Sequence, residues 1–152
     1  MKIKPILALV SLGLAAAASL PAASAADVTV VITANDALRY SVTRIEAQPG
    51  QTIRVQLRNV GSMPKEVMGH NWILLRAGSD AAAYATAALG AKDDGYQPKS
   101  LAGEVLASIP LLGPKKSGEV TFAAPSVPGS YPFLCTFPGH FQAGMQGVLI
   151  VK

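Results

Sequence analysis

The chain has 152 residues, 50% of them hydrophobic and 14% charged, with a formal net charge of +4. These values exclude a disordered polyampholyte, a collagen-like repeat and a coiled coil, and the length suits one domain. The basic surplus forms no stripe with interleaved aromatics, only the short Lys115-Lys116 pair, so no nucleic-acid partner is expected.

The first residues read as an address. Lys2 and Lys4 precede an apolar run at 6–20, and Ala23-Ser24-Ala25 supplies small residues for cleavage. This is the pattern of a secretory signal peptide, with a run too short for a membrane span. The expectation is a cleaved segment at 1–25 and a single mature domain at 26–152, exported to the periplasm without stable membrane insertion. Removing Lys2 and Lys4 with the leader leaves a net charge of only +2. The mature length is enough to build a core without disulfides.

From residue 27 onward the chain reads mostly as β. Residues 28–33 are β-branched almost throughout, and 40–47 and 51–58 alternate apolar and polar, with Pro49-Gly50 as a turn between them. Further strands are expected at 70–75, 104–109, 118–123, 130–135 and 147–151. About eight short strands with Gly/Pro punctuation predict an all-β, Greek-key sandwich. The Ala-rich segment 79–89 predicts one short inserted helix, capped at its start by Ser79 and stopped by Gly90. Residues 91–102 read as a surface loop.

The scarcest residues carry the most information. There is one Cys and there are two His. In an exported chain a single Cys is an intermolecular disulfide, a buried inert thiol or a metal ligand. Cys135 ends a strand on the same face as Tyr131 and Phe133. Pro138-Gly139 then turns the chain, so His140 can return toward the sulfur, and Met145 follows after four intervening residues. The other imidazole, His70, opens a predicted strand. Two His and a Cys with a weak axial Met are the ligand set of an electron-transfer copper site. Thiolate and thioether favour Cu(I), imidazole suits both oxidation states, and a cage held by the fold moves little between them. No His remains for a second copper, and no Ser-His-Asp set, haem-attachment motif or phosphate loop is present, so an electron carrier is expected rather than an enzyme. A copper delivery or buffering protein is the reading of another class.

The stretches Met68-Gly69-His70-Asn71-Trp72 and Cys135-Thr136-Phe137-Pro138-Gly139-His140 resemble the copper motifs of azurins, within the cupredoxin family. The resemblance covers essentially all of 26–152. It implies a type 1 (blue) copper protein that passes one electron between redox proteins such as c-type cytochromes or copper enzymes, and works as a monomer. His70, Cys135 and His140 would be the equatorial ligands and Met145 the axial one. Gly69 matches the position whose backbone carbonyl approaches copper in azurins, and Asn71 the residue that hydrogen-bonds near the Cys sulfur and ties the two ligand loops together. The loop from His140 to Met145 is one residue longer than in azurins and is similar to auracyanin-like members, which leaves the Gly69 contact open. With one Cys, the disulfide of bacterial azurins cannot form. Met63, Pro64, Met68, Phe137, Pro138 and Phe141 are expected to form an apolar patch beside His140 for docking partners. Trp72 is expected to pack in the core rather than to relay electrons.

Overall fold

A computed structural model describes residues 27–152; the expected leader at 1–25 lies outside the described residues. Two sheets are stacked. The first has the order β2-β1-β4-β7, from β1 (Val28–Asn35), β2 (Arg39–Tyr40), β4 (Thr52–Asn59) and β7 (Ser117–Ala123). The second has the order β3-β9-β8-β5-β6, from β3 (Arg44–Ala47), β5 (His70–Leu75), β6 (Val105–Leu112), β8 (Gly129–Leu134) and β9 (Gln146–Val151). β1 runs parallel to β4, with Val28 opposite Ile53, and β3 runs parallel to β9. The remaining pairings are antiparallel.

Alternation explains the core. The inward residues Ile32, Ile53, Val55 and Leu57 of the first sheet meet Trp72, Leu74, Phe133 and Leu149 of the second, all essentially without solvent exposure. Residues i and i+2 share a face of a strand, and this register buries the apolar ones. Trp72 packs its ring 5.4 Å from Phe133 and 6.2 Å from Phe122, so it sits in the core as expected.

Two departures bear on the site. Residues 40–47, read as one strand, are two: β2 ends in the first sheet and β3 belongs to the second. The chain crosses between sheets at 41–43, where Ser41 pairs twice with Thr33: its N–H donates to the Thr33 carbonyl (2.9 Å) and its Oγ accepts from the Thr33 N–H (2.8 Å). The alternation slips by one residue at this corner, where exposed Thr43 and Arg44 follow one another and the apolar positions move from 40 and 42 to 45 and 47; a one-residue slip in so short a stretch still reads as one strand. A second element was not expected at all: α1 (Lys65–Met68), one turn whose Val67 and Met68 N–H groups both donate to the Pro64 carbonyl.

The inserted helix is α2 (Ala81–Ala88), and its cap is Asp80, not Ser79. The Asp80 carboxylate accepts from the N–H groups of Ala82 (2.9 Å) and Ala83 (3.0 Å), while Ser79 Oγ turns away to Glu104. α2 lays Tyr84 and Ala85 over Ile73, Leu75 and Leu134, closing the outer face of the second sheet. The stretch read as loop contains 3₁₀ turns at Lys92–Asp94 and Lys99–Glu104. Among the described residues no helix is long and apolar enough to cross a membrane.

Candidate metal centre

Three segments of the second sheet converge at one end of the sandwich. β5 opens with His70, Cys135 lies one residue beyond β8, and Met145 lies one residue before β9. β8 and β9 are paired neighbours, and the Cys135 N–H donates to the Met145 carbonyl at 3.0 Å, so the loop between them is closed at its base. His140 sits on that loop, its N–H bonded to the Phe137 carbonyl (3.0 Å) and its carbonyl to the Met145 N–H (3.0 Å).

The ligating atoms of His70, Cys135 and His140 all lie within 4.8 Å of one another, and all three residues are buried. Cys135 Sγ is 3.4 Å from His140 Nδ1, and the two imidazole rings are 4.9 Å apart between centroids. Met145 is fully buried in the same cluster as Cys135. Neither ring nitrogen of His70 has a well-formed hydrogen bond. Buried polar nitrogens without partners are costly and rare, and here one of them lies within 4.8 Å of the Cys135 thiol and a His140 nitrogen. That donor set, soft sulfur with borderline nitrogen, fits a copper ion.

The protonation states agree with a site made to hold a cation. Burial pushes the Cys135 thiol up to about 11, against the pull of the Asn71 and Phe137 backbone N–H groups and the Tyr40 hydroxyl. Burial, then the neighbouring His70, brings His140 down to about 4. Burial also lowers His70, outweighing the nearby Asp36 carboxylate and the Asn35 carbonyl, which favour its protonated form. At neutral pH the metal-free site therefore offers two neutral imidazoles and one thiol proton to be displaced.

The surroundings hold these groups still. Asn71 accepts at Oδ1 from the Thr136 N–H (2.8 Å) and donates through Nδ2 to Thr136 Oγ1 (2.7 Å) and the Gly95 carbonyl (3.3 Å). Thr136 Oγ1 in turn donates to the Tyr96 carbonyl (2.7 Å). Asn71 thus joins the His70 strand to the residue after Cys135 and to the 95–96 turn. Thr136 and Tyr96 were not read from the sequence, because a Thr and a Tyr in loops carry no spacing signal. Gly69 is required sterically: a Cβ there would stand 2.7 Å from the Lys65 carbonyl oxygen and 2.9 Å from Leu111 Cγ. Only glycine lets the chain leave α1 so tightly and begin β5 at His70.

Of the apolar residues beside the ligands, Met63 (38% exposed), Pro64 and Pro138 reach the surface, and Val67 (52%) joins them. Met68 is half-buried. Phe137 is buried, its ring 4.7 Å from His140 and 5.2 Å from Tyr96, so it backs the imidazole instead of facing outward. Phe141 leans half-buried on the α2 cluster.

With this geometry in hand, the relatives fall into place. Residues 26–152 match the family model of copper binding proteins, the plastocyanin/azurin family. The chain is 37% identical over 127 residues to auracyanin-B of Chloroflexus aurantiacus, covering 83% of this chain and 52% of that protein. It is 35% identical over 130 residues to azurin of Pseudomonas denitrificans, covering 84% of this chain and all of the azurin. It thus spans about half of auracyanin-B and the full length of the azurin. The crystal structure of dithionite-reduced auracyanin from the photosynthetic bacterium Roseiflexus castenholzii superposes with a TM-score of 0.74 at 33% identity, over 84% of this chain and 99% of that one. The fold, the buried His-Cys-His group and these relatives agree: the chain belongs to the plastocyanin/azurin family of copper binding proteins and is a blue copper protein of the electron-carrying kind.

Proposed function

We propose that the mature domain, residues 26–152, is an exported carrier that takes one electron from a redox protein in the periplasm and hands it to another, such as a c-type cytochrome or a copper enzyme. In this reading His70, Cys135 and His140 would hold the ion and Met145 would add its thioether as a weaker ligand. Bound copper supplies a one-electron Cu(I)/Cu(II) couple. The chain's own residues do the rest. Burial excludes water from the site, Asn71 and Thr136 keep the two ligand segments in register, and the β8–β9 ladder fixes the Cys135 and Met145 ends of the loop. A donor set held before the metal arrives needs little rearrangement between oxidation states, and that keeps the barrier to electron transfer low.

The observation that supports this most directly is the meeting of three donor atoms within 4.8 Å in a buried site where both nitrogens of His70 lack partners. A delivery protein would keep such donors exposed so that copper can leave. Met63, Pro64, Val67 and Pro138, with half-buried Met68 and Phe141, offer an apolar docking surface beside His140. Transient electron-transfer complexes use small interfaces of this sort.

A visible spectrum of the copper-loaded, oxidised protein tests the reading. An intense band toward the red end, abolished by reduction and by Cys135→Ser, is expected. Met145→Leu should retain copper with a changed reduction potential, since a thioether would be the weakest ligand of the four. A colourless copper-loaded protein would overturn electron transfer in favour of delivery.

A further inference from the structure

β2 is two residues long, and its two side chains reach two different arms of the metal centre. A tight turn precedes it: the Leu38 N–H donates to the Asn35 carbonyl (3.1 Å), the Ala37 N–H donates to Asn35 Oδ1 (3.0 Å), and Leu38 sits at φ 57°. A leucine in the left-handed region is strained, and such strain collects where a structure must aim something. Here it returns Arg39 and Tyr40 onto β1, opposite Asn35 and Ala34.

Tyr40 is buried, with its ring 5.9 Å from Phe133; its hydroxyl donates to the Asn71 carbonyl and also lies beside the Cys135 thiol. That carbonyl needs a partner. The β5–β6 ladder slips between His70, opposite Leu112, and Trp72, opposite Ile109, so Asn71 alone faces two residues of β6, Pro110 and Leu111, and the bulge lies on β6. A bulge interrupts the ladder and re-aims neighbouring side chains, while a buried backbone carbonyl left unpaired is costly. Tyr40 satisfies the Asn71 carbonyl and thereby holds the stretch facing the bulge beside His70.

Arg39 reaches the other arm. Its Nη1 donates to the Ala143 carbonyl and, at 3.0 Å, to that of Leu38. Ala143 lies between His140 and Met145, in a loop hinged by Gly139 (φ 82°) and Gly144 (φ 95°) and otherwise closed by its own backbone bonds. The guanidinium lies against this loop, since a Cβ on Gly144 would be 3.5 Å from Arg39 Nη1.

We propose that Arg39 and Tyr40 form a two-point brace that keeps the His70 and His140 arms at a fixed separation, making both of them positioning residues for electron transfer. The inference rests on the copper reading above. It implies that β2, from the first sheet, contributes to the rigidity of a centre built from the second.

The test uses the full mature protein, copper-loaded and metal-free, with Tyr40→Phe, Arg39→Met and Arg39→Lys. Tyr40→Phe removes one hydroxyl and keeps the ring; Arg39 is exposed, so its variants retain the fold. Electron self-exchange should slow about tenfold in Tyr40→Phe and about threefold in Arg39→Met, with altered copper hyperfine splitting in both. Loss of the nearby cation should also lower the Arg39→Met potential, by about 30 mV for a threefold change in relative affinity for the two oxidation states. Arg39→Lys, which keeps a donor and the charge, should restore most of the rate. In the metal-free protein, Arg39→Met should exchange the Met145 amide about tenfold faster, which a purely electrostatic role would not produce. Wild-type rates and splittings in both variants overturn the brace, as does an effect confined to one of them. A wild-type protein without the red-end band overturns the copper reading itself, and the brace with it.

Discussion

The two sheets of this sandwich are built under different constraints. In the second sheet β5 is buried at all six positions, between the main core on one side and α2 on the other. In the first sheet β7 alternates exposed and half-buried residues along its whole length, and β4 carries Arg54, Gln56 and Arg58 on its outer face. His70 opens the doubly covered β5, and Cys135, His140 and Met145 lie on the loop that joins β8 to β9 of the same sheet. A donor placed on a strand packed from both faces has few alternative positions, because interiors are close-packed and do not deform continuously. The first sheet closes the core and lends β2 to the site, and its outer face is free to vary.

Substitutions measure that asymmetry. Trp72→Ala, on β5, should cost about 3–5 kcal/mol in denaturant unfolding, whereas Val31→Ala, on the 40%-exposed outer side of β1, should cost no more than about 0.5 kcal/mol. Equal costs would abolish the distinction between the sheets.

Acid should strike the ligand-bearing side next. His140 titrates near 4 in the folded, metal-free protein and at its ordinary 6.5 when unfolded. Between those values the unfolded chain binds the extra proton, so stability present above pH 6.5 is lost as pH falls toward 4. The loss approaches about 3 kcal/mol, at about 1.4 kcal/mol per pH unit, with a further share from His70, which is lowered in the same sense. Urea melts of metal-free protein across this range should show the loss, and copper-loaded protein, whose imidazoles are occupied, should resist it. A flat profile would mean the imidazoles are solvated.

Thr136→Val should cost about 1–3 kcal/mol, because it removes the hydroxyl that pairs one Asn71 Nδ2 hydrogen and the Tyr96 carbonyl. The copper spectrum should shift with it, since Thr136 follows Cys135 directly; a change in stability without a change in spectrum would confine Thr136 to the scaffold. The smallest effect belongs to the first sheet's outer face. The Arg54–Glu119 pair is close, at 2.6 Å, but both side chains are about half exposed, and Arg54→Ala should leave the unfolding midpoint in place.

The metal centre was more legible than the architecture around it. His70, Cys135 and His140 stand out because Cys and His are so scarce in this chain that a ligand set leaves almost no choice, and Met145 was read from its place at the end of the same loop. Asn71 followed from its motif. Tyr40, Arg39 and Thr136 did not, since Tyr, Arg and Thr are common and their contacts here span 31, 104 and 65 residues of sequence. The strand positions were visible through alternation, yet the break between β2 and β3 was marked only by the adjacent polar residues Thr43 and Arg44, too slight a slip in eight residues to separate two strands.

What the amino-acid order determined alone is therefore local and chemical: strands of period two, a capped Ala-rich helix, and a ligand loop in which Pro138-Gly139 turns His140 back toward Cys135. What only the folded molecule decided is which distant groups meet. The bulge of β6 opposite Asn71, the turn at Leu38 and the covering of β5 on both faces arise from register and packing between segments far apart in sequence. Each depends on satisfying buried backbone groups and filling space, and no single stretch of chain contains both partners.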